Sequence, residues 1–324
     1  MARRAGADFV PAAGSVERLQ PERYGHAETV STRWFVPMAK KAMAESEWKD
    51  FFAGFGTLQG VYVCGPDGTP YDYTNIHFTS EEEYAKVRAD FLKWMDRGLA
   101  RHREKPPAKV EVGAKEIERG APVGAAADTA VVRVFNRVRM PQADHPANRG
   151  VGRDHFWIFG DEVRELALDS SLPRPMVARL VRFQLLDNTR NVGVAFNDQE
   201  VRQADFSTSV IRTDGDVRIL RFTGTFLAER EDKDNDEKAG VLGRLEGEIG
   251  VDVAKSRIVR FRAYGEATGW GDVKRTGAPE GKYPLVFALV EVDDPVSRAV
   301  PPFWFGASPV WEPIYRKSAL ALWK

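Results

Sequence analysis

The sequence predicts an α+β fold in two domains, an α/β domain followed by an antiparallel, barrel-like β domain. The 324 residues exceed what one hydrophobic core usually supports. Helical apolar spacing and one hairpin pattern fill the first third of the chain, whereas alternating β segments dominate after residue 130. Prolines and glycines without a sustained period are typical of a linker at 103–124. We therefore predict domains at 1–102 and 125–300, with a C-terminal tail at 301–324.

The N-terminal domain is predicted to contain a short strand, a helix, a β-hairpin and a second helix. Asp8 to Ala12 has the composition of a short strand, and the apolar spacing within Thr32 to Ser46 is helical. Pro37 either restarts or bends that helix, because proline lacks the backbone N–H. The run Gly65-Pro66-Asp67-Gly68 separates two β-prone segments within 60–74, which predicts the hairpin.

The second helix is the most regular element of the sequence. Ser80 and Glu83 have the spacing of a capping box, which marks a helix start. One apolar stripe follows and ends near Arg101. Its members are Tyr84, Val87, Phe91, Met95 and Leu99.

The C-terminal domain is predicted to hold roughly seven strands. Asp214-Gly215 lies between two alternating segments, Ser209–Arg212 and Val217–Leu220, and is a strong two-residue hairpin signal. Strand lengths and spacing favour a barrel or a strongly bent sheet. The other predicted elements are strands at Val131–Val138, His155–Phe159, Leu245–Val253, Arg257–Ala267 and Tyr283–Val292, and one helix near Pro175–Leu186.

The tail at 301–324 is dense in aromatic residues. Left in water, these rings would expose a large apolar surface. We therefore expect the tail to dock on the body of the protein and to bridge the two domains. The rings belong to Phe303, Trp304, Phe305, Trp311, Tyr315 and Trp323.

Residues 1 to about 102 resemble the later part of a thioredoxin-like domain. The strand at 8–12, the hairpin with Pro66-Asp67-Gly68 and the closing helix from Ser80 carry the resemblance. It implies an α/β domain whose last helix packs on a sheet. The first strand and most of the first helix of that pattern are missing, so we expect either that the chain begins inside its domain or that the fold is a trimmed variant. An incomplete sheet would have an exposed edge, which predicts self-association through this domain.

The chain departs from the redox members of the thioredoxin-like family. Cys64 is its one cysteine, so it has no Cys-x-x-Cys motif. Leu58-Gln59-Gly60 stands where those members carry a cis-proline. The resemblance therefore implies a redox-inactive domain.

Composition and motifs argue against several classes of partner and cofactor. Lysine plus arginine and aspartate plus glutamate both number 47, so the balanced charge argues against a nucleic-acid partner. Without an apolar run of about 18 residues, no membrane span is predicted. The N-terminus lacks the hydrophobic region of a signal peptide, so a cytoplasmic location is expected. The acidic run from Asp232 to Asp236 fails the EF-hand pattern, and no nucleotide or metal motif appears, so neither cofactor nor metal is predicted.

The weak chemical candidates are two Asp-His pairs, Asp144-His145 and Asp154-His155, together with Trp157. A carboxylate beside an imidazole can orient a general base or a metal ligand, although neighbours in a strand face opposite ways. We expect a non-catalytic protein that binds another protein or a small apolar ligand. The alternative is an enzyme that uses Asp154 and His155 at the barrel mouth or the domain interface, with Trp157 as a ligand contact.

Overall fold

A computed structural model describes nine segments of the chain. The chain divides into two compact units, Met1–Ala121 and Pro122–Lys324, and each is described by itself. The described segments are 30–46, 60–74, 81–108, 124–139, 151–188, 195–232, 237–271, 281–307 and 311–323.

The first unit combines two helices with one β-hairpin. Its elements are α1 (Val30–Ala44), β1 (Val61–Cys64), β2 (Pro70–Thr74) and α2 (Glu81–Glu104). Pro37 lies inside α1 without ending it. The strand predicted at Asp8 to Ala12 lies outside the described residues.

The hairpin of the first unit is fixed by its turn. The Asp67 carboxylate accepts hydrogen bonds from the amide and the hydroxyl of Thr69, both at 2.9 Å. Gly68 adopts a positive φ of 79°, which favours glycine. Asp67 and Gly68, which predict the hairpin in the sequence, are therefore also the residues that stabilise its turn.

Helix α2 is held to β2 by a nearly buried carboxylate. Asp72, 6% exposed, accepts from Arg97 Nε at 3.0 Å and lies 3.5 Å from Arg101 Nη1. The same Arg101 nitrogen donates to the carbonyl of Tyr71 at 2.7 Å. These bonds join the strand to the last turns of α2.

The second unit is dominated by one antiparallel sheet of seven strands, in the order β4-β3-β9-β8-β7-β6-β5. This confirms the predicted α+β class with a large antiparallel sheet. The strands are β3 (Ala130–Val138), β4 (Gly152–Ile158), β5 (Val201–Asp214), β6 (Val217–Asp232), β7 (Glu237–Asp252), β8 (Arg257–Trp270) and β9 (Lys282–Val292).

The helices of the second unit follow β4 and β9. After β4 come α3 (Gly160–Asp169) and α4 (Arg174–Arg179), and α4 continues as a π-helix (Leu180–Gln184). The sequence predicts one helix here, near Pro175–Leu186, and not α3, although Val163, Leu166 and Ala167 form its buried face. After β9 come α5 (Pro295–Ala299), α6 (Phe303–Ala307), α7 (Trp311–Arg316) and a 3₁₀ turn (Ala321–Trp323).

The sheet bends strongly without a closed barrel being shown. In a flat sheet, six spacings of about 4.8 Å would hold β4 and β5 roughly 29 Å apart. Yet the short π-helix contacts β4 at one edge and both β5 and β6 at the other. The two edge strands therefore both lie close to the π-helix. In the described residues, β4 and β5 are the ends of the sheet and do not pair with each other.

The main core lies between this sheet and the helices. Val163 and Leu166 of α3, and Leu180 and Val181 of the π-helix, are at most 1% exposed and pack against the inner face of the sheet. Phe222, Phe226, Phe261 and Phe287 fill that inner face. In the described segments, no helix is long and apolar enough to cross a membrane.

Candidate functional site

Asp154 lies on the edge strand β4 and ties three elements together. Its Oδ1 accepts from the amide of His155 at 2.7 Å and from the amide of Phe303 in α6 at 2.9 Å. Its Oδ2 accepts from Gln184 Nε2 of the π-helix at 3.1 Å. Burial raises the pKa of Asp154 to about 6, although these hydrogen bonds oppose the shift.

His155 points away from Asp154, as neighbours in a strand do. Asp154 pairs across the ladder with Val134, and His155 pairs with Arg133. Burial, followed by the positive charge of Arg133, lowers the pKa of His155, while Asp294 opposes the shift. The carboxylate of Asp154 thus binds the backbone amide of His155 and not its imidazole ring.

The other candidates from the sequence lie elsewhere. Asp144 and His145 are outside the described residues. Trp157 is 2% exposed and packs on Phe305 of α6, with ring centroids 4.8 Å apart. The structure therefore brings Asp154 into contact with the tail and encloses Trp157 in an aromatic cluster.

On the side of β4 that faces away from β3, side chains from the helices bond the backbone. Gln184 Nε2 donates to the carbonyl of His155 at 3.2 Å, and Arg179 Nη2 donates to the carbonyl of Trp157 at 3.3 Å. The amide of Phe159 donates to Glu162 Oε2 at 3.0 Å. Outward-facing backbone groups of this edge are thus satisfied without another strand.

Several polar atoms are buried beside this edge without a partner among the described residues. They are His155 Nε2, Trp157 Nε1, Glu162 Oε1, Arg179 Nε and Nη1, Gln184 Oε1 and the hydroxyl of Tyr315. Burial raises the pKa of Tyr315, and the charges of Asp154 and Glu162 add to that shift while Arg179 opposes it. The sequence gives no signal for this cluster, because its members come from β4, α3, α4, the π-helix and α7.

The outer face of the sheet, which points away from the helices, carries charged and polar side chains in cross-strand rows. One row crosses six strands, since each member is the ladder partner of the next. Arg244 Nη2 donates to Glu266 Oε2 at 3.1 Å, and the hydroxyl of Tyr264 donates to Glu266 Oε1 at 2.9 Å. The row runs Arg137, Val286, Glu266, Arg244, Thr225, Asp205.

An open groove of about 650 Å³ crosses this outer face. Two arginines and one carboxylate line it, among apolar and hydroxyl side chains, and Leu242 is 48% exposed. Within the described residues, no group of three or more His, Cys, Asp or Glu side chains is placed to hold a metal ion. The lining includes Arg139, Gln203, Thr225, Leu242, Arg244, Glu266, Thr268, Pro284 and Val286.

Comparison with protein-family models, with curated proteins and with solved structures finds no match in any of the three.

Proposed function

We propose that the protein acts by binding and not by catalysis, and that its second unit holds an acidic, amphipathic segment of another protein in the outer-face groove. The observation that carries this proposal is the composition of the groove. A single carboxylate, Glu266, lies among two arginines, Arg139 and Arg244, and apolar side chains such as Leu242. Such a surface suits a chain that offers both carboxylates and apolar side chains.

The charges of the groove support an acidic partner in particular. Glu266 is already engaged by Arg244 and Tyr264, so its charge is partly compensated within the face. Arg139 is exposed. Arg137 of β3, two residues before it, is also exposed and lies in the same cross-strand row as Glu266 and Arg244. Arginine forms bidentate hydrogen bonds with carboxylates. Arg244 is bonded to Glu266 but its side chain is 77% exposed, and Arg139 is exposed while it interacts with Tyr264 and Glu266. A partner that supplies carboxylates would therefore meet exposed guanidinium groups on one side of the groove.

The inner face of the sheet offers less support for a small apolar ligand. Phenylalanine side chains and the helices α3 and α4 already occupy the space against that face. Among the described residues, the catalytic alternative has no converging pair in its favour, since Asp154 and His155 face opposite sides of β4. The exposed outer face is the better supported binding surface.

The proposal also includes a redox-inactive, thioredoxin-like first unit. The order of hairpin and closing helix in β1, β2 and α2 supports it. Cys64 is half-buried, and burial raises the pKa of its thiol above the ordinary value, with the charge of Asp67 adding to the shift. A thiol with a raised pKa is a poor nucleophile at neutral pH.

The test places a photo-reactive amino acid at Leu242 in the full chain and identifies cross-linked peptides from cell extract by mass spectrometry. The matched control is Leu168 of α3, which is 79% exposed but lies on the helical side of the sheet. We expect acidic peptides to be cross-linked from Leu242 and not from Leu168. Arg139→Glu with Arg244→Glu should abolish these cross-links.

Two results would contradict the proposal. One is the same set of cross-linked proteins from both leucine positions, which would indicate unspecific contact. The other is a partner whose cross-links from Leu242 persist after both arginines are reversed.

A further inference from the structure

The two edges of the seven-stranded sheet differ in how their backbone groups are satisfied. At β4, side chains of Gln184 and Arg179 bond the outward-facing backbone. At β5, the described part of the chain provides no such bonds to the backbone of 207–213 on the side away from β6. One edge is closed and the other is open.

The open edge has the features of a pairing surface. The residues from Ser209 to Asp214 are all exposed, and Val210 and Ile211 are exposed by 50% and 41%. Strand β5 contains neither lysine nor proline, two residues that commonly protect an edge from pairing. Exposed backbone groups beside exposed apolar side chains form a template for another strand.

We infer that β5 pairs antiparallel with β5 of a second copy of this chain, about a two-fold axis at Thr208. In this register Phe206 lies opposite Val210, and Asp205 lies opposite Arg212 because Ile211 is the extra residue of the bulge. The two-fold axis repeats each of these pairs once. Two ion pairs and two apolar pairs therefore form from one strand sequence.

The faces of the strand agree with this register. Asp205 pairs with Thr225 of β6, and Arg212 pairs with Ile219. Thr225 and Ile219 are six residues apart in one strand, so they share a face. Asp205 and Arg212 consequently project on the same side of the sheet, as a cross-strand ion pair requires.

The assembly ends at two copies. A second copy covers β5, and the only other edge of the described sheet, β4, is closed by its own helices. The bulge between Val210 and Arg212 adds local twist, which limits the new ladder to a short stretch. This dimer is independent of what the outer-face groove binds.

The experiment measures the dimer dissociation constant of the full chain by sedimentation equilibrium. Asp205→Arg and Arg212→Asp should each weaken the dimer about tenfold or more, because each creates two like-charge contacts across the axis. The double variant restores opposite charges and should return the constant to within about threefold of the wild-type value. Arg202→Asp is the matched control, since it reverses an exposed charge in the same strand outside 205–212.

Hydrogen exchange gives a second readout that needs no variant. Amides of 205–212 should become more protected as protein concentration rises, while those of Gly152–Ile158 in β4 should not change. A monomer at every concentration would overturn the inference. So would a dimer that neither charge reversal weakens, or one whose protected amides lie outside β5.

Discussion

Arg179 and Glu162 form an ion pair in which the two side chains are 0% and 5% exposed. The Arg179 Nη2 that meets Glu162 also donates to the carbonyl of Trp157 in the edge strand. The guanidinium carbon lies 4.7 Å from the ring centroid of Phe159 and 5.4 Å from that of Tyr315. One cation therefore links α4 to α3, to the edge of the sheet and to the tail.

Arg179→Ala should lower the free energy of unfolding by about 3 to 5 kcal/mol, because it leaves the Glu162 carboxylate buried without its cation. Urea denaturation followed by circular dichroism measures the change. The control is Arg164→Ala, since Arg164 lies 3.5 Å from Asp128 with both side chains more than half exposed. That change should cost about 1 kcal/mol or less. Equal losses in the two variants would contradict this account of the buried pair.

Cys64 is expected to have no part in disulfide exchange. Burial raises the pKa of its thiol, so little thiolate forms at neutral pH, and the chain contains no second cysteine to resolve a mixed disulfide. The full chain should therefore fail to reduce insulin disulfides, and Cys64→Ser should behave in the same way. Insulin reduction by the wild-type chain that is lost in Cys64→Ser would refute the prediction.

The tail should stabilise the second unit mainly through Phe305. This ring is 1% exposed and lies between Trp157 and Tyr315, whereas the neighbouring Phe303 is 42% exposed. Phe305→Ala should cost about 3 to 5 kcal/mol and Phe303→Ala about 1 kcal/mol or less, as measured by denaturant unfolding. Because the two positions lie two residues apart in α6, Phe303→Ala controls for effects on the backbone of this helix.

Removal of residues 301–324 should lower the melting temperature of the chain by more than Phe305→Ala does. The truncated chain should also bind more of a hydrophobic dye, because Trp157, Phe159 and Phe183 lose their cover. An unchanged melting temperature with unchanged dye binding would show that the tail adds nothing to stability.

Local signals in the sequence predict the local elements. The turn at Pro66-Asp67-Gly68 and the turn at Asp214-Gly215 each specify a hairpin, and Gly215 adopts the positive φ, 58°, that its turn requires. The helix predicted after Ser80 begins at Glu81. These elements depend on a few consecutive residues, so one sequence is enough to find them.

The sites depend on contacts that consecutive residues do not specify. Glu162 and Arg179 are 17 residues apart, and neither position differs in the sequence from an exposed charge. The alternation of a strand shows which residues share a face, but not which strand lies next to it. The row from Arg137 to Asp205 and the difference between the two sheet edges therefore required the strand order.

Asp154 should make the stability of the second unit depend on pH. Its pKa is about 6 in the folded chain and about 3.8 when the side chain is free in water, so the folded state holds the proton more tightly. The resulting stabilisation is complete below about pH 3.8 and is lost as pH rises through 6. The free energy of unfolding of the wild type, minus that of Asp154→Asn, should therefore increase by on the order of 1 to 3 kcal/mol between pH 7.5 and pH 4.

The difference between the two proteins isolates Asp154 from the other carboxyl groups, which titrate in both. At any single pH, the difference in unfolding free energy also includes the loss of the carboxylate acceptor for Gln184 Nε2. Only the change of this difference with pH therefore reports the shifted pKa of Asp154. Carbon-13 NMR of labelled aspartate provides the control, since one carboxyl resonance with a midpoint near 6 should be absent from Asp154→Asn. Parallel stability profiles of the wild type and the variant from pH 7.5 to pH 4 would show that burial does not raise the pKa of this carboxyl.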